Sequence, residues 1–184
     1  MMTIREFAPE VERQKIAWIG DGNNVLHDLM LAATILGHDV RYATPDGHEP
    51  LSSVLNDAEA FAAESGGTVK RSSSVEEAVE DATVIYTDVF VSMGQEDDKN
   101  KLRDFEGYSV TRELCSSADD DHIFLHCLPA NRGVEVTDEV MDGPHSRVWD
   151  QAENRLHAQK SLLTRLLNDA AWDTYGEVMG VEGW

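Results

Sequence analysis

The sequence predicts an α/β fold: one doubly wound parallel sheet with helices on both faces. Short, mostly apolar runs alternate with longer stretches whose apolar residues recur at helical spacing. Turn signals of only a few residues separate them, which suits β-α-β units rather than hairpins. A chain of 184 residues suffices for a single Rossmann-like domain with a real core. No internal repeat or low-complexity tract competes with this reading.

In chain order, Met2–Pro9 is a helical stretch with Ile4 and Phe7 set between charges. Lys15–Gly20 (K-I-A-W-I-G) is the first strand; it breaks into D-G-N-N and then a helix over Val25–Leu36. Val25, Leu29, Ala32, Ala33 and Leu36 share one face of that helix, and Gly37 closes it as a C-cap glycine. Val40–Ala43 is the second strand, stopped by Thr44-Pro45-Asp46-Gly47. Leu51–Glu64 is the next helix, ended by Gly66-Gly67, and the polar run Thr68–Arg71 is a weak strand suited to a sheet edge. Ser74 and Glu77 form a capping box for a short helix before the buried strand Ala82–Thr87. Helices are expected over Glu96–Phe105 and Thr111–Ser117. Ile123–Cys127 is a further strand, stopped by Pro129, and Arg147–Trp149 the last. A closing helix from about Ala152 to Asn168 carries apolar Leu156, Leu163, Leu166 and Leu167. Residues 170–184 have no assignable element.

Composition narrows the function. Against 35 Asp and Glu stand 15 Lys and Arg, for a net charge of −20. That balance argues against a nucleic-acid phosphate backbone and against anionic membrane surfaces as partners, since both are held by Lys and Arg. The acids are spread over expected helix faces and loops, which is a solvated surface at the least. A sharper reading is adaptation to concentrated salt, where screening relieves self-repulsion. Cys115 and Cys127 make neither a disulfide framework nor a C-x-x-C knuckle, and the seven His show no zinc-ligand spacing. No zinc site is therefore expected. Met1–Glu12 has no leader-like apolar segment and no apolar run approaches ~20 residues, so a soluble, cytoplasmic chain is expected.

Ligands of open α/β sheets bind beyond the carboxyl ends of the strands. The loops Asp21–Asn24, Asp88–Gln95, His126–Ala130 and Asp150–Arg155 all follow strand ends in this reading, so they share one rim. Cys127 stands there as either a small buried hydrophobe or a reactive thiol. Its neighbour His126 points to the other face of the strand, which argues against a Cys–His nucleophilic pair and suits a core histidine. Asp88 follows an apolar strand, where a carboxylate needs a partner. It is either a turn acid or a fixed negative charge for a substrate ammonium, with Ser92 and Met93 adding a hydroxyl and a backbone N–H. Gly20 and Gly22 match the first two glycines of a dinucleotide-binding G-x-G-x-x-G, but Val25 replaces the third. Asn23 and Asn24 either cap the following helix or, for Asn24, offer an amide to a substrate carboxylate. Arg155, read into the first turn of the last helix, opposes the helix dipole and so answers to an anion, to Glu153 or to solvent.

Four stretches together resemble the ornithine carbamoyltransferases, and specifically their carboxyl-terminal, ornithine-binding domain. They are W-I-G-D-G-N-N-V-L-H (18–27), T-D-V-F-V-S-M-G-Q-E (87–96), L-H-C-L-P (125–129) and D-Q-A-E-N-R-L-H (150–157), and their order fits essentially the whole chain to about Asn168. The S-M-G loop favours the ornithine enzymes over aspartate carbamoyltransferases; Phe90 stands where that loop usually carries tryptophan. The resemblance implies carbamoyl transfer from carbamoyl phosphate to the δ-amine of ornithine, giving citrulline and phosphate without metal or nucleotide. It implies that Asn24, Asp88, Ser92 and the backbone of Met93 hold ornithine, and that Cys127 lies beside the attacking amine and helps deprotonate it. It further implies that the Cys127–Leu128 backbone and Arg155 contact carbamoyl phosphate, so that Cys127, Asp88 and Arg155 form the catalytic set.

The family's amino-terminal S-T-R-T phosphate loop and H-P-x-Q motif do not occur here. The expectation is a fragment that binds ornithine weakly and does not catalyse alone, with residues 1–14 a remnant of the interdomain helix, 15–169 the ornithine-binding domain and 170–184 a tail. In the family the final helix crosses onto the other domain, so its apolar face here implies a homo-oligomer (a trimer in the family) or association with the missing half. A non-catalytic amino-acid-binding module and a nucleotide-binding domain are the competing readings.

Overall fold

The computed structural model describes residues 1–91, 101–168, 170 and 172. Among the described residues five parallel strands form the sheet: β1 (Lys15–Ile19), β2 (Asp39–Ala43), β3 (Thr68–Arg71), β4 (Val84–Thr87) and β5 (Ile123–His126), in the order β3-β2-β1-β4-β5. β1 is central, with Ala17 opposite Arg41 on one side and Ile85 on the other. The order turns back at β1, between β2 and β4, which is where the crevice of a doubly wound sheet opens.

The helices divide between the two faces because β1, β4 and β5 are buried on both. Ile16 and Trp18 of β1 point to one face, where Ile4 of α1 (Met2–Phe7), Leu26, Leu29, Met30 and Ala33 of α2 (Asn24–Ile35) and Ala58 of α3 (Ser52–Ser65) cover them. Ala17 and Ile19 point to the other, against Val75, Ala78 and Val79 of α4 (Val75–Val79), Leu114 of α6 (Arg112–Cys115) and Met141 of α7 (Asp138–Met141). Between β4 and α6 lies the short α5 (Lys101–Asp104). β3 is a largely exposed edge, as its polar sequence requires.

One expected strand is absent. Arg147–Trp149 belongs to the entry of α8 (Val148–Leu167), and the sheet ends at β5. Phe124 donates its N–H to His145 and accepts from the Arg147 N–H at 2.9 Å each, making a single bridge at Ser146. The apolar segment is too short to extend that pairing. Val148 is instead fully buried from the first turn of the helix. α8 therefore starts four residues earlier than its apolar spacing suggested, and Asn154 ties it to α1 by donating to Thr3 Oγ1 at 3.1 Å and Glu6 Oε2 at 2.6 Å. Of the helix expected over Glu96–Phe105, α5 is described, while 96–100 fall outside the described residues. No helix among the described residues is long and apolar enough to cross a membrane.

Candidate functional site

The carboxyl rim of β1, β4 and β5 collects the polar groups. β1 leaves the sheet through Gly20–Asn23, and an alanine at Gly22 would place its Cβ 2.4 Å from the backbone of His48, Glu49 and Pro50. Only glycine lets those two loops meet, and the Gly22 N–H donates to the His48 carbonyl at 2.8 Å. This glycine thus serves loop packing. The α2 N-terminus that would receive a pyrophosphate is capped by the chain itself, since Asn23 Oδ1 accepts from the N–H groups of Val25 (2.9 Å) and Leu26 (3.2 Å). Both observations weigh against the nucleotide reading.

Asp88 is 6% exposed just past β4 and both its oxygens are engaged. Oδ2 accepts from Asn23 Nδ2 at 2.8 Å, and Oδ1 accepts from the Cys127 thiol at 2.9 Å. Burial, and then the Asp88 carboxylate that takes its hydrogen bond, push the Cys127 pKa well above the ordinary thiol value. The Arg155 charge pulls weakly the other way, which places that guanidinium within electrostatic reach of the sulfur. Arg155 itself is exposed, lies about two turns inside α8 and forms no ion pair with the described residues. The expected conflict with the helix dipole disappears with the earlier helix start, and Glu153 pairs with His157 at 3.9 Å instead.

His126 and Cys127 use different partners. His126 Nδ1 accepts from the Leu128 N–H at 2.9 Å, which leaves the ring proton on Nε2, 3.4 Å from Oε1 of the fully buried Glu135. That bond holds Leu128 at φ +59°, a left-handed backbone that costs a branched residue about 1–2 kcal/mol. With its N–H taken, the Leu128 backbone offers this rim an acceptor, its carbonyl. Asp88, His126 and Cys127 each place a potential ligand atom within 4.8 Å of the others, a grouping that sequence spacing could not reveal. In this arrangement the sulfur is a protonated donor to Asp88 rather than the thiolate a metal requires.

The structure thus brings Asp88 and Cys127 into contact, with Leu128 next in chain and Arg155 in electrostatic range. Asn24 is exposed at the first turn of α2, next in chain to Asn23. Ser92 and Met93 lie outside the described residues. Asp150–Arg155 reaches the rim from within α8, not from a strand end. Gln151 carries that approach: its Oε1 accepts from the His126 N–H at 3.1 Å and its Nε2 donates to Tyr86 Oη at 2.7 Å. Tyr86, Gln151, Glu135 and the second role of Asn23 escaped the sequence reading. So did buried Lys101, whose Nζ donates to Asp21 Oδ2 at 2.6 Å, with His48 3.6 Å from the other oxygen of that acid. Gln151 and Asn23 at least lay inside the stretches singled out; Lys101 had no signal beyond being one cation among acids.

Comparison with known proteins bears on this geometry. Residues 12–166 match the family described as aspartate/ornithine carbamoyltransferase, Asp/Orn binding domain. The chain is 52% identical over 167 residues to an ornithine carbamoyltransferase of Pyrococcus horikoshii, covering 90% of this chain and 53% of that protein. With its counterpart from Listeria monocytogenes it shares 52% identity over 169 residues, or 91% and 54% of the two chains. The solved ornithine carbamoyltransferase of Pyrococcus furiosus superposes with a TM-score of 0.84 at 52% identity, over 89% of this chain and 52% of that one. The chain spans about half the length of the curated relatives it matches. Matched along most of its length in sequence and in fold, the chain belongs to the aspartate/ornithine carbamoyltransferase family, to which it contributes the Asp/Orn-binding domain.

Proposed function

We propose that this chain is the ornithine-binding half of an ornithine carbamoyltransferase, whose reaction joins carbamoyl phosphate and ornithine into citrulline and phosphate. The observation that carries the reading is the buried Asp88 carboxylate joined at once to Asn23 and Cys127 on the strand-end rim. A fixed negative charge in that position suits an ammonium, and relatives whose names state ornithine are matched over nearly the whole chain. Asn24, Asp88, Ser92 and Met93 hold ornithine in this reading; the Cys127–Leu128 backbone and Arg155 face carbamoyl phosphate. The chemistry needs a neutral amine to attack the carbamoyl carbon and donors where negative charge then develops on its oxygen. A thiol whose pKa is held up keeps its proton, so within the Asp88–Cys127 pair the thiol is the hydrogen-bond donor and Asp88 the acceptor. Cys127 acts by presenting its S–H to that acid and by shaping the pocket beside the amine.

In this reading α1 is the remnant of the helix joining two domains, and catalysis requires the half that carries the phosphate loop. The exposed Leu156, Leu163 and Leu167 of α8 form the face that such a half, or further copies of the chain, would cover. Calorimetric titration of the 184-residue chain with ornithine should give saturable, weak binding. The same sample with carbamoyl phosphate and ornithine should yield no citrulline until the missing half is supplied. Absence of ornithine binding would overturn the assignment, and citrulline formation by the chain alone would overturn its dependence on a second half. An amino-acid-binding module without catalysis would bind ornithine yet stay inactive after complementation.

The charge of −20 belongs to the same proposal as adaptation to concentrated salt in the cytoplasm. The melting temperature should rise between dilute buffer and molar KCl as screening removes repulsion among the surface acids. A flat or falling melt would leave the acids as ordinary solvated surface.

A further inference from the structure

We propose that Asn23 is a positioning residue for the acid–thiol pair: one side chain ends α2 with its oxygen and aims the Asp88 carboxylate at Cys127 with its nitrogen. The orientation of the amide is forced by its surroundings. Two backbone N–H groups, of Val25 and Leu26, face one end at 2.9 and 3.2 Å, and only the amide oxygen accepts from them. A carboxylate oxygen faces the other end at 2.8 Å, and only the amide nitrogen donates to it. Flipping the amide would set donor against donor and acceptor against acceptor.

Asn is also the side chain the place demands. Ser, Thr and Asp cap a helix about as well, so capping alone does not select Asn. Asp has no donor for Asp88 and would set two carboxylates together; Ser and Thr are shorter and already use their oxygen on the helix. With Oδ2 held by Asn23, Oδ1 of Asp88 is presented to the thiol 2.9 Å away. Without that hold the acid, close to the surface of the rim, turns toward water and its charge leaves the sulfur. The N-terminus of α2 and the charge state of a group 104 positions later in the chain are thereby linked through one amide.

This inference rests on Asp88 and Cys127 being site groups, but its test needs no substrate and so stands or falls apart from ornithine binding. The rate of iodoacetamide reaction at Cys127 is followed against pH in the 184-residue chain, with peptide mass spectrometry separating it from Cys115. Asn23→Ser keeps a capping oxygen and loses the amide donor. It should melt within a few degrees of the parent, yet Cys127 should react at pH values about one unit lower, roughly tenfold faster at a fixed pH below the transition. Asn23→Thr, with the same cap and the same lost donor, should behave alike and serves if the Ser variant folds poorly. In an Asp88→Asn background the Asn23→Ser change should have no further effect on the profile, because the group it positions has lost its charge. An unchanged profile in both Asn23 variants overturns the proposal, as does a shift of equal size in the Asp88→Asn background.

Discussion

Asp88→Asn should weaken ornithine binding by on the order of 100-fold while leaving the fold intact. The substitution removes one negative charge and almost no volume. Its amide oxygen can still accept from Asn23 and its amide nitrogen can face the sulfur of Cys127, so both neighbours keep a partner. What is lost is the attraction of a nearly buried carboxylate for an ammonium. A charged hydrogen bond of that kind contributes about 1.5–3 kcal/mol, and each 1.4 kcal/mol is tenfold in affinity. Calorimetry on parent and variant gives the ratio, and circular dichroism confirms that the melt moves by no more than a few degrees. Equal affinities would remove Asp88 from the ornithine site. The same variant has a signed consequence for the thiol. Asp88 raises the Cys127 pKa both by taking its hydrogen bond and by its charge. Removing it lowers the pKa, so the reactive thiolate appears at lower pH even though burial, the larger cause, still holds it above the ordinary value.

Trp18→Ala should cost about 3–5 kcal/mol of stability, the range for truncating a large core aromatic. Trp18 is fully buried at the centre of β1, its ring 5.4 Å from that of Tyr86 on the neighbouring strand. Its indole Nε1–H also donates to the Asp21 carbonyl at 3.1 Å. One side chain therefore fills the core under α2 and pins the turn that leads to Asn23. Truncation leaves a cavity between sheet and helix and frees the turn at the same time. For a chain of this size the loss corresponds to a fall in melting temperature of roughly 10 °C or more, read from circular dichroism. A melt within about 3 °C of the parent would mean that the core collapses around the gap and that this ring is not what anchors the sheet.

Much of this molecule could be read before any coordinates, and the reasons are local. Apolar runs with turn signals between them gave most of the strands, because β1, β4 and β5 are buried on both faces and leave little room for polar alternation, whereas β2 alternates half-buried Asp39 and Arg41 with buried Val40 and Tyr42. The single false strand, Arg147–Trp149, came from the same rule applied to a segment too short to be diagnostic. A bridge to Phe124 and a buried Val148 suit a helix entrance as well as a strand. The rim was found for a topological reason, since parallel strands joined by helices send all their carboxyl ends to one side. Asp88 and Cys127 could be singled out as chemical groups sitting at the ends of apolar strands.

By itself, then, the sequence determined the α/β class, the order of its elements apart from the missed α7 and the false last strand, the polar edge at β3 and the strand-end rim that holds the candidate residues, because period, turn chemistry and handed connections are written in neighbouring residues. Tertiary structure alone decided that Asn23 faces Asp88, that Cys127 is a protonated donor, that Gln151 joins Tyr86 to the end of β5, and that Lys101 lies buried against Asp21. Those are meetings of groups 50 or more positions apart in most cases, and hydrogen bonding across such distances has no period in the chain. Burial then sets the protonation of what meets, which is a property of the surroundings and not of the residue.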